Sequence, residues 1–254
     1  MWQRVLYFVL RPMPTVEKLT PILGVGYVVF AACISMILTY TAWYVPCDKV
    51  QGDAFRLMYV HVPLAILSLA LYVVMGLSGA LYSVFHLKSA DLCTQACAIM
   101  GFIATLLAIG TGSIWAKPTW GTWWLWDARL TSECVLALMY IGYLWIRLSL
   151  KPVNYAKQYA ALIAVMGMIN VPIVHYSVEW WYTLHQGSTL FTSKPTIAWQ
   201  FFWPLLYALI SFIGLFAWLV LHAMIVLNGR QGCERSRHGA LSDYEVQKQH
   251  GVMV

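Results

Sequence analysis

Long apolar stretches separated by short polar links run along most of this chain. A helix needs about 20 mainly apolar residues to cross the roughly 30 Å of bilayer hydrocarbon. Six stretches approach or exceed that length, at about 21–45, 60–85, 92–115, 131–150, 158–178 and 197–227. The fourth is the weakest, because Glu133 and Arg147 lie near its two ends. The pattern predicts an all-α integral membrane protein with six transmembrane helices rather than a barrel, whose strands would alternate over about 10 residues.

Lysine and arginine residues are distributed unevenly over the polar links. Eleven of the 16 lie before the first stretch, after the second, at or beyond the end of the fourth, or in the C-terminal tail, and five lie in the other three links. Since basic residues favour the cytoplasmic side, both termini are predicted to be cytoplasmic. Three outer loops then follow, at about 46–59, 116–130 and 179–196. Residues 1–228 form the predicted transmembrane domain, and residues 229–254 form a short, weakly ordered cytoplasmic tail.

The composition agrees with a lipid environment and excludes several other classes. The chain is 61% hydrophobic and 10% charged, whereas soluble domains are about 25% charged. The net charge is +6, and the charged residues lie mainly between the apolar runs. Their distribution therefore indicates membrane topology rather than nucleic-acid binding. Six cysteines are present without a CxxC or CxxCH pattern, which excludes covalent c-type haem attachment and a thioredoxin-like dithiol.

A tryptophan-rich segment lies in the second outer loop. It contains Trp115, Trp120, Trp123, Trp124 and Trp126. An aromatic belt at a membrane interface places one or two such residues at each helix end. This density instead favours a platform for a large planar ligand, against which indole faces can stack.

Charged residues accompany the tryptophans. Lys117 and Arg129 suit carboxylates on such a ligand, and Arg56 in the first outer loop is a further candidate. Asp127 is predicted to orient Arg129 or to cap the helix that starts near residue 130. Glu133 is a candidate for the same site or for a structural role at the helix end.

Two histidines are predicted at the outer face. His61 lies at the start of the second stretch, and His185 lies in the third outer loop beside Trp180 and Trp181. Two neutral imidazoles on one iron would be axial haem ligands. His175 is an alternative to His185, which is preferred because a loop position is easier to reach from outside.

The sequence at 120–131, Trp-Gly-Thr-Trp-Trp-Leu-Trp-Asp-Ala-Arg-Leu-Thr, resembles the WWD signature of haem-handling proteins. Tyr-Val-His-Val-Pro at 59–63 and His-Tyr-Ser-Val-Glu-Trp-Trp-Tyr-Thr-Leu-His-Gln-Gly-Ser at 175–188 extend the resemblance. Together they make nearly the whole chain similar to the haem exporter protein C family (CcmC) of system I cytochrome c maturation.

The resemblance implies a set of functional expectations. The chain would bind haem b transiently as cargo at the periplasmic face of the bacterial inner membrane, with His61 and His185, rather than His175, as axial ligands. It would deliver the haem to the periplasmic chaperone CcmE, assisted by CcmD and beside the ATP-binding cassette subunits CcmA and CcmB. No G-x-x-x-x-G-K-[ST] loop is present, so ATP hydrolysis would belong to a partner and this chain would not itself be an enzyme.

Two other functions compete with haem delivery. A b-type transmembrane redox protein would place histidine pairs at two depths, and His86 and His222 are the inner-side candidates. A permease for haem or another small molecule would show polar or broken helices near the bilayer midplane. Gly110 and Gly112 are the one hint of such a break.

Overall fold

The computed structural model describes the backbone of residues 16–185 and 197–249. Within these ranges the chain is helical and has no β-strand, which confirms the all-α prediction. The helices are α1 Val16–Trp43, α2 Met58–Phe85, α3 Lys88–Trp120, α4 Ala128–Ser149, α5 Val153–Gly167, α6 Asn170–Trp180 and α7 Trp199–Gln249. A short 3-10 helix, Asp53–Leu57, leads into α2.

Five segments of the described chain are long and apolar enough to cross a membrane. They are Ile22–Trp43, Asp53–Phe85, Lys88–Trp120, Val153–Trp180 and Trp199–Cys233. The sixth predicted span corresponds to α4, whose 22 residues extend about 33 Å. Charged side chains on α4 lower its hydropathy, as the sequence predicted. The chain is a multi-pass integral membrane protein.

The structure moves two predicted boundaries. The helix α3 continues through Pro118 to Trp120, so the second outer loop covers 121–127 rather than 116–130. Gly121 ends the helix in the left-handed region (φ 78°), where its N–H bonds the Lys117 carbonyl at 3.0 Å; glycine is the residue that adopts this conformation without strain. At the other end of the chain α7 is helical through Gln249, so the helix continues beyond residue 229, where the predicted cytoplasmic tail begins.

The fifth apolar stretch is broken, which the sequence reading did not predict. Between α5 and α6 the amides of Met168 and Ile169 bond the carbonyls three residues earlier, those of Val165 and Met166, instead of four residues earlier as in an α-helix. Pro172 lacks the N–H that would continue the helix by bonding the Met168 carbonyl. The Met168 side chain lies over Gly76 of α2, where there is no room for a Cβ atom.

The core forms where α2 packs against α3, α5 and α7. Small residues of α3 such as Ala96 and Ala104 are fully buried, and small side chains allow membrane helices to approach closely. The Tyr140 hydroxyl of α4 donates to the Ser68 carbonyl of α2 at 2.8 Å, in the space left by Gly101. These contacts fix the helices that position the outer-face residues.

A buried ionic cluster joins three helices at the predicted cytoplasmic end. The carboxylate of Asp91 on α3 forms ion pairs with Arg147 of α4 at 2.8 Å and with Lys157 of α5 at 3.0 Å. Arg147 also donates to the Gln95 amide oxygen at 2.9 Å. The side chains of Asp91 and Arg147 are 3% and 6% exposed, so this cluster is a structural contact between helices and not a solvated surface.

Candidate functional site

A cavity of about 1050 Å³ lies at the outer end of the helix bundle. It extends along α2 from Met58 to Val73, a length of about 22 Å. Its deep half has apolar walls that include Leu69 and Ala70. Its outer half also carries polar and aromatic side chains: His61, Trp115, Trp120, Arg129, His175 and His185. The cavity therefore combines an apolar slot with a polar mouth.

His61 occupies the first turn of α2 and points into this cavity. Its Nδ1 lies 3.0 Å from the Ala108 carbonyl oxygen and 3.2 Å from the Thr111 hydroxyl oxygen of α3. Because a carbonyl oxygen only accepts hydrogen bonds, Nδ1 carries the proton and Nε2 keeps its lone pair. The ring packs edge-on against Trp115 with 5.7 Å between centroids.

Gly112 leaves the space that the His61 ring fills. A Cβ atom at this position would lie 2.8 Å from the His61 Cε1 atom. The interpretation of Gly110 and Gly112 as a helix break is wrong, because α3 is continuous through both. Sequence inspection missed this role, since the contact joins residues on two different helices.

His185 reaches the cavity from the loop that follows α6. Its Nδ1 lies 3.1 Å from Asp127 Oδ2 and 3.2 Å from Thr183 Oγ1. The Thr183 hydroxyl also donates to Asp127 Oδ2. The imidazole packs edge-on against Trp120 with 4.7 Å between ring centroids. Thr183 was not predicted, because its role comes from its contacts with Asp127 and His185 and not from its residue type.

Asp127 caps α4, which confirms one of its two predicted roles. Its Oδ1 accepts from the Leu130 amide at 2.8 Å, in the manner of an N-cap aspartate. Among the described residues, the Asp127 carboxylate makes no hydrogen bond with Arg129, so its other predicted role of orienting Arg129 is not seen. The Arg129 guanidinium instead donates to the Val174 carbonyl at 3.4 Å and lines the cavity.

The electrostatics of the loop leave His185 neutral and Asp127 anionic. Burial alone would raise the pKa of Asp127, but its hydrogen bonds with Thr183 and the Leu130 amide, together with its interaction with His185, outweigh burial and lower the pKa below its usual value. Burial lowers the pKa of His185 despite the opposing effect of the Asp127 carboxylate. The neutral ring directs Nδ1–H at the carboxylate and leaves Nε2 with a lone pair.

The tryptophans divide into two groups, of which one lines the cavity and the other lies largely on the outer surface. Trp115 and Trp120 belong to α3 and line the cavity. Trp123 and Trp126 of the loop are 57% and 78% exposed and are not among its lining residues. Trp124 is partly buried and packs edge-on against Trp126.

The other predicted binding residues also lie outside the cavity lining. Trp180 and Trp181 are 56% and 52% exposed. Lys117 donates to the Gly121 carbonyl at 3.0 Å and lies over the Trp123 ring at 6.0 Å. The side chain of Arg56 bonds the Asp53 carboxylate at 2.9 Å and the carbonyl of Thr41.

For Glu133 the sequence left two roles open, one in the site and one structural, and it left His175 as an alternative to His185. Glu133 is buried on α4 and accepts from the Ser68 hydroxyl at 2.8 Å, and it does not line the cavity; these contacts favour its structural role. His175 does line the cavity, so position alone does not eliminate it. The difference lies in its environment, because its ring packs on the neighbouring Tyr176 whereas hydrogen bonds hold the His185 ring.

Comparison with known proteins gives the family. The family model described as heme exporter protein C matches residues 11–237. "Heme exporter protein C" of Haemophilus influenzae is 41% identical over 179 residues, covering 70% of this chain and 73% of that protein. The Escherichia coli K12 protein of the same name is 38% identical over 203 residues, covering 78% and 82%. That of Bradyrhizobium diazoefficiens is 39% identical over 186 residues, covering 73% and 71%. The chain belongs to the heme exporter protein C family.

Proposed function

We propose that this chain holds haem at the periplasmic face of the inner membrane and hands it to a haem chaperone during cytochrome c maturation. The observation that carries the proposal is the pair His61 and His185, which face one cavity from a helix and from a loop. Each ring has its Nδ1 bonded to protein oxygens. Among the described residues no hydrogen bond occupies either Nε2, and two such nitrogens are the donor set of a bis-histidine haem.

The remaining walls of the cavity fit a haem. Its volume of about 1050 Å³ is at the upper end of the range of small-molecule sites. Trp115 and Trp120 offer aromatic surface to a planar macrocycle. Arg129 brings a guanidinium into the cavity, and its forked geometry suits a propionate carboxylate.

The finer details of this function are also proposals. The cargo is haem b, since the chain lacks a CxxCH motif for covalent attachment. The recipient is the chaperone CcmE, with CcmD as an accessory and CcmA and CcmB as the ATP-binding cassette subunits of the complex. Because this chain has no phosphate-binding loop, it acts as the haem-binding subunit and not as an enzyme.

The test is the visible spectrum of the purified protein beside three single variants. His61→Ala and His185→Ala are expected to weaken or alter a bis-histidine haem spectrum at about one haem per chain, and His175→Ala to leave it unchanged. Loss of the spectrum in His175→Ala with retention in His185→Ala would reassign the second ligand. Retention in both His61→Ala and His185→Ala would contradict the site altogether.

The contacts of the inner histidines speak against the redox alternative. The His222 ring hydrogen-bonds the Tyr27 hydroxyl, which joins α7 to α1. His86 ends α2 in the left-handed conformation (φ 53°) and packs edge-on against Tyr82. Both rings thus have local structural roles. Two haems per purified chain would support the redox function instead.

A further inference from the structure

The carboxylate of Asp127 serves two different parts of the structure with its two oxygen atoms. Oδ1 accepts from the Leu130 amide and caps α4. Oδ2 accepts from the Thr183 hydroxyl and lies 3.1 Å from Nδ1 of His185. The Asp127 side chain is 5% exposed, so water competes little for these bonds. The helix cap and the histidine are therefore held by one buried group.

The two candidate ligands differ in the hydrogen-bond acceptors of their Nδ1 atoms. His61 is backed by neutral oxygens, the Ala108 carbonyl and the Thr111 hydroxyl. His185 is backed by a carboxylate. A carboxylate that accepts from the distal N–H of a ligating imidazole fixes the ring orientation and raises the basicity of the coordinating nitrogen. The coordinating nitrogen of His185 is thus expected to be more basic than that of His61.

We propose that Asp127 is a positioning residue that directs Nε2 of His185 into the cavity and makes His185 the stronger electron donor of the two axial ligands. This inference rests on the proposed haem site. It assigns the aspartate of the WWD segment a role through the histidine of another loop, rather than a contact with haem. Its negative charge near the iron also stabilises the ferric over the ferrous state.

The structure supplies a substitution that separates positioning from capping. Asparagine caps helices about as well as aspartate, so Asp127→Asn keeps the bond to the Leu130 amide and removes the charge behind His185. Asp127→Ala removes both. We expect the dissociation constant for ferric haem to rise about 10- to 100-fold in both variants. The thermal unfolding midpoint should fall only in Asp127→Ala, and the reduction potential of the bound haem should become more positive in Asp127→Asn.

Thr183→Val is a second, independent variant, which keeps the carboxylate and removes one hydroxyl that orders the loop. It should raise the haem dissociation constant about two- to tenfold, the effect of one hydrogen bond, and shift the potential less than Asp127→Asn does. The measurements are haem titrations followed by the Soret band and a redox titration, on the full chain in detergent. Wild-type affinity and potential in Asp127→Asn would overturn the inference while leaving the haem site intact. A wild-type chain that takes up no haem would overturn the proposed function itself.

Discussion

Gly112→Ala should weaken haem binding without touching any proposed ligand. The added Cβ would lie 2.8 Å from His61 Cε1 and 3.3 Å from Nδ1. Carbon atoms pack at about 3.5 Å or more, so the ring must move by about 0.7 Å. The movement is directed away from α3, where its hydrogen-bond partners Ala108 and Thr111 lie. The substitution therefore displaces the imidazole and loosens its anchor together.

The expected size follows from the cost of overpacking. Inserting a methyl group into a filled site costs about 1–3 kcal/mol, which corresponds to a rise of about 5- to 150-fold in the haem dissociation constant. The helix itself should not suffer, because alanine is favoured over glycine in a helix interior by about 1 kcal/mol. The assay is a haem titration followed by the Soret absorbance, beside a thermal unfolding curve in the same detergent.

A matched control lies two residues away on the same helix. A Cβ at Gly110 meets no atom within 4 Å, so Gly110→Ala makes the same chemical change without the clash and should bind haem like the wild type. In a His61→Ala background, Gly112→Ala should have no further effect. Wild-type affinity in the single Gly112→Ala variant would refute the placement of His61 against α3.

Three further predictions concern other parts of the molecule. Asp91→Ala should lower the free energy of unfolding by about 3–5 kcal/mol because it leaves buried cations unpaired, and Lys157→Ala should cost less; chemical or thermal unfolding in detergent measures both. Trp120→Ala should raise the haem dissociation constant about two- to tenfold through the lost aromatic contact with His185, whereas the exposed Trp126→Ala should not; equal effects in one titration would contradict the division of the tryptophans. His222→Ala should leave the haem spectrum unchanged, and a lost band would restore the redox alternative.

Local patterns account for the parts of the fold that the sequence could predict. Apolar length identifies a membrane span whatever its neighbours are, so the six apolar stretches all correspond to helical segments. The residues at which the helices end were harder to predict from the sequence. The third apolar stretch ends at about residue 115, which suggested a loop from residue 116, but α3 continues to Trp120 and Gly121 terminates it. Likewise, the break before Pro172 depends on one missing N–H within an otherwise apolar run.

The candidate site shows a different limit. His61 and His185 were found because imidazoles at an outer face are few, and their residue type carries the chemistry. Thr183 and Gly112 carry none by themselves. Their roles arise from contacts across helices or loops, such as the hydroxyl of Thr183 on Asp127, which no spacing along the chain reveals.

The two proposed ligands also differ in how the fold holds them, and this difference suits a protein that must give its cargo away. His61 sits within α2, and moving it means repacking α2 against α3, the most extensive helix pair of the bundle. His185 sits in a loop and is held by hydrogen bonds to Asp127 and Thr183; the bond to the charged carboxylate is worth about 1.5–3 kcal/mol and the bond to the hydroxyl about 1 kcal/mol. A partner that binds this loop would have to replace these hydrogen bonds, whereas displacing His61 would disturb the packing of two helices. Under the proposed function, we therefore expect haem hand-over to release His185 before His61, because a loop can move without repacking the helix bundle.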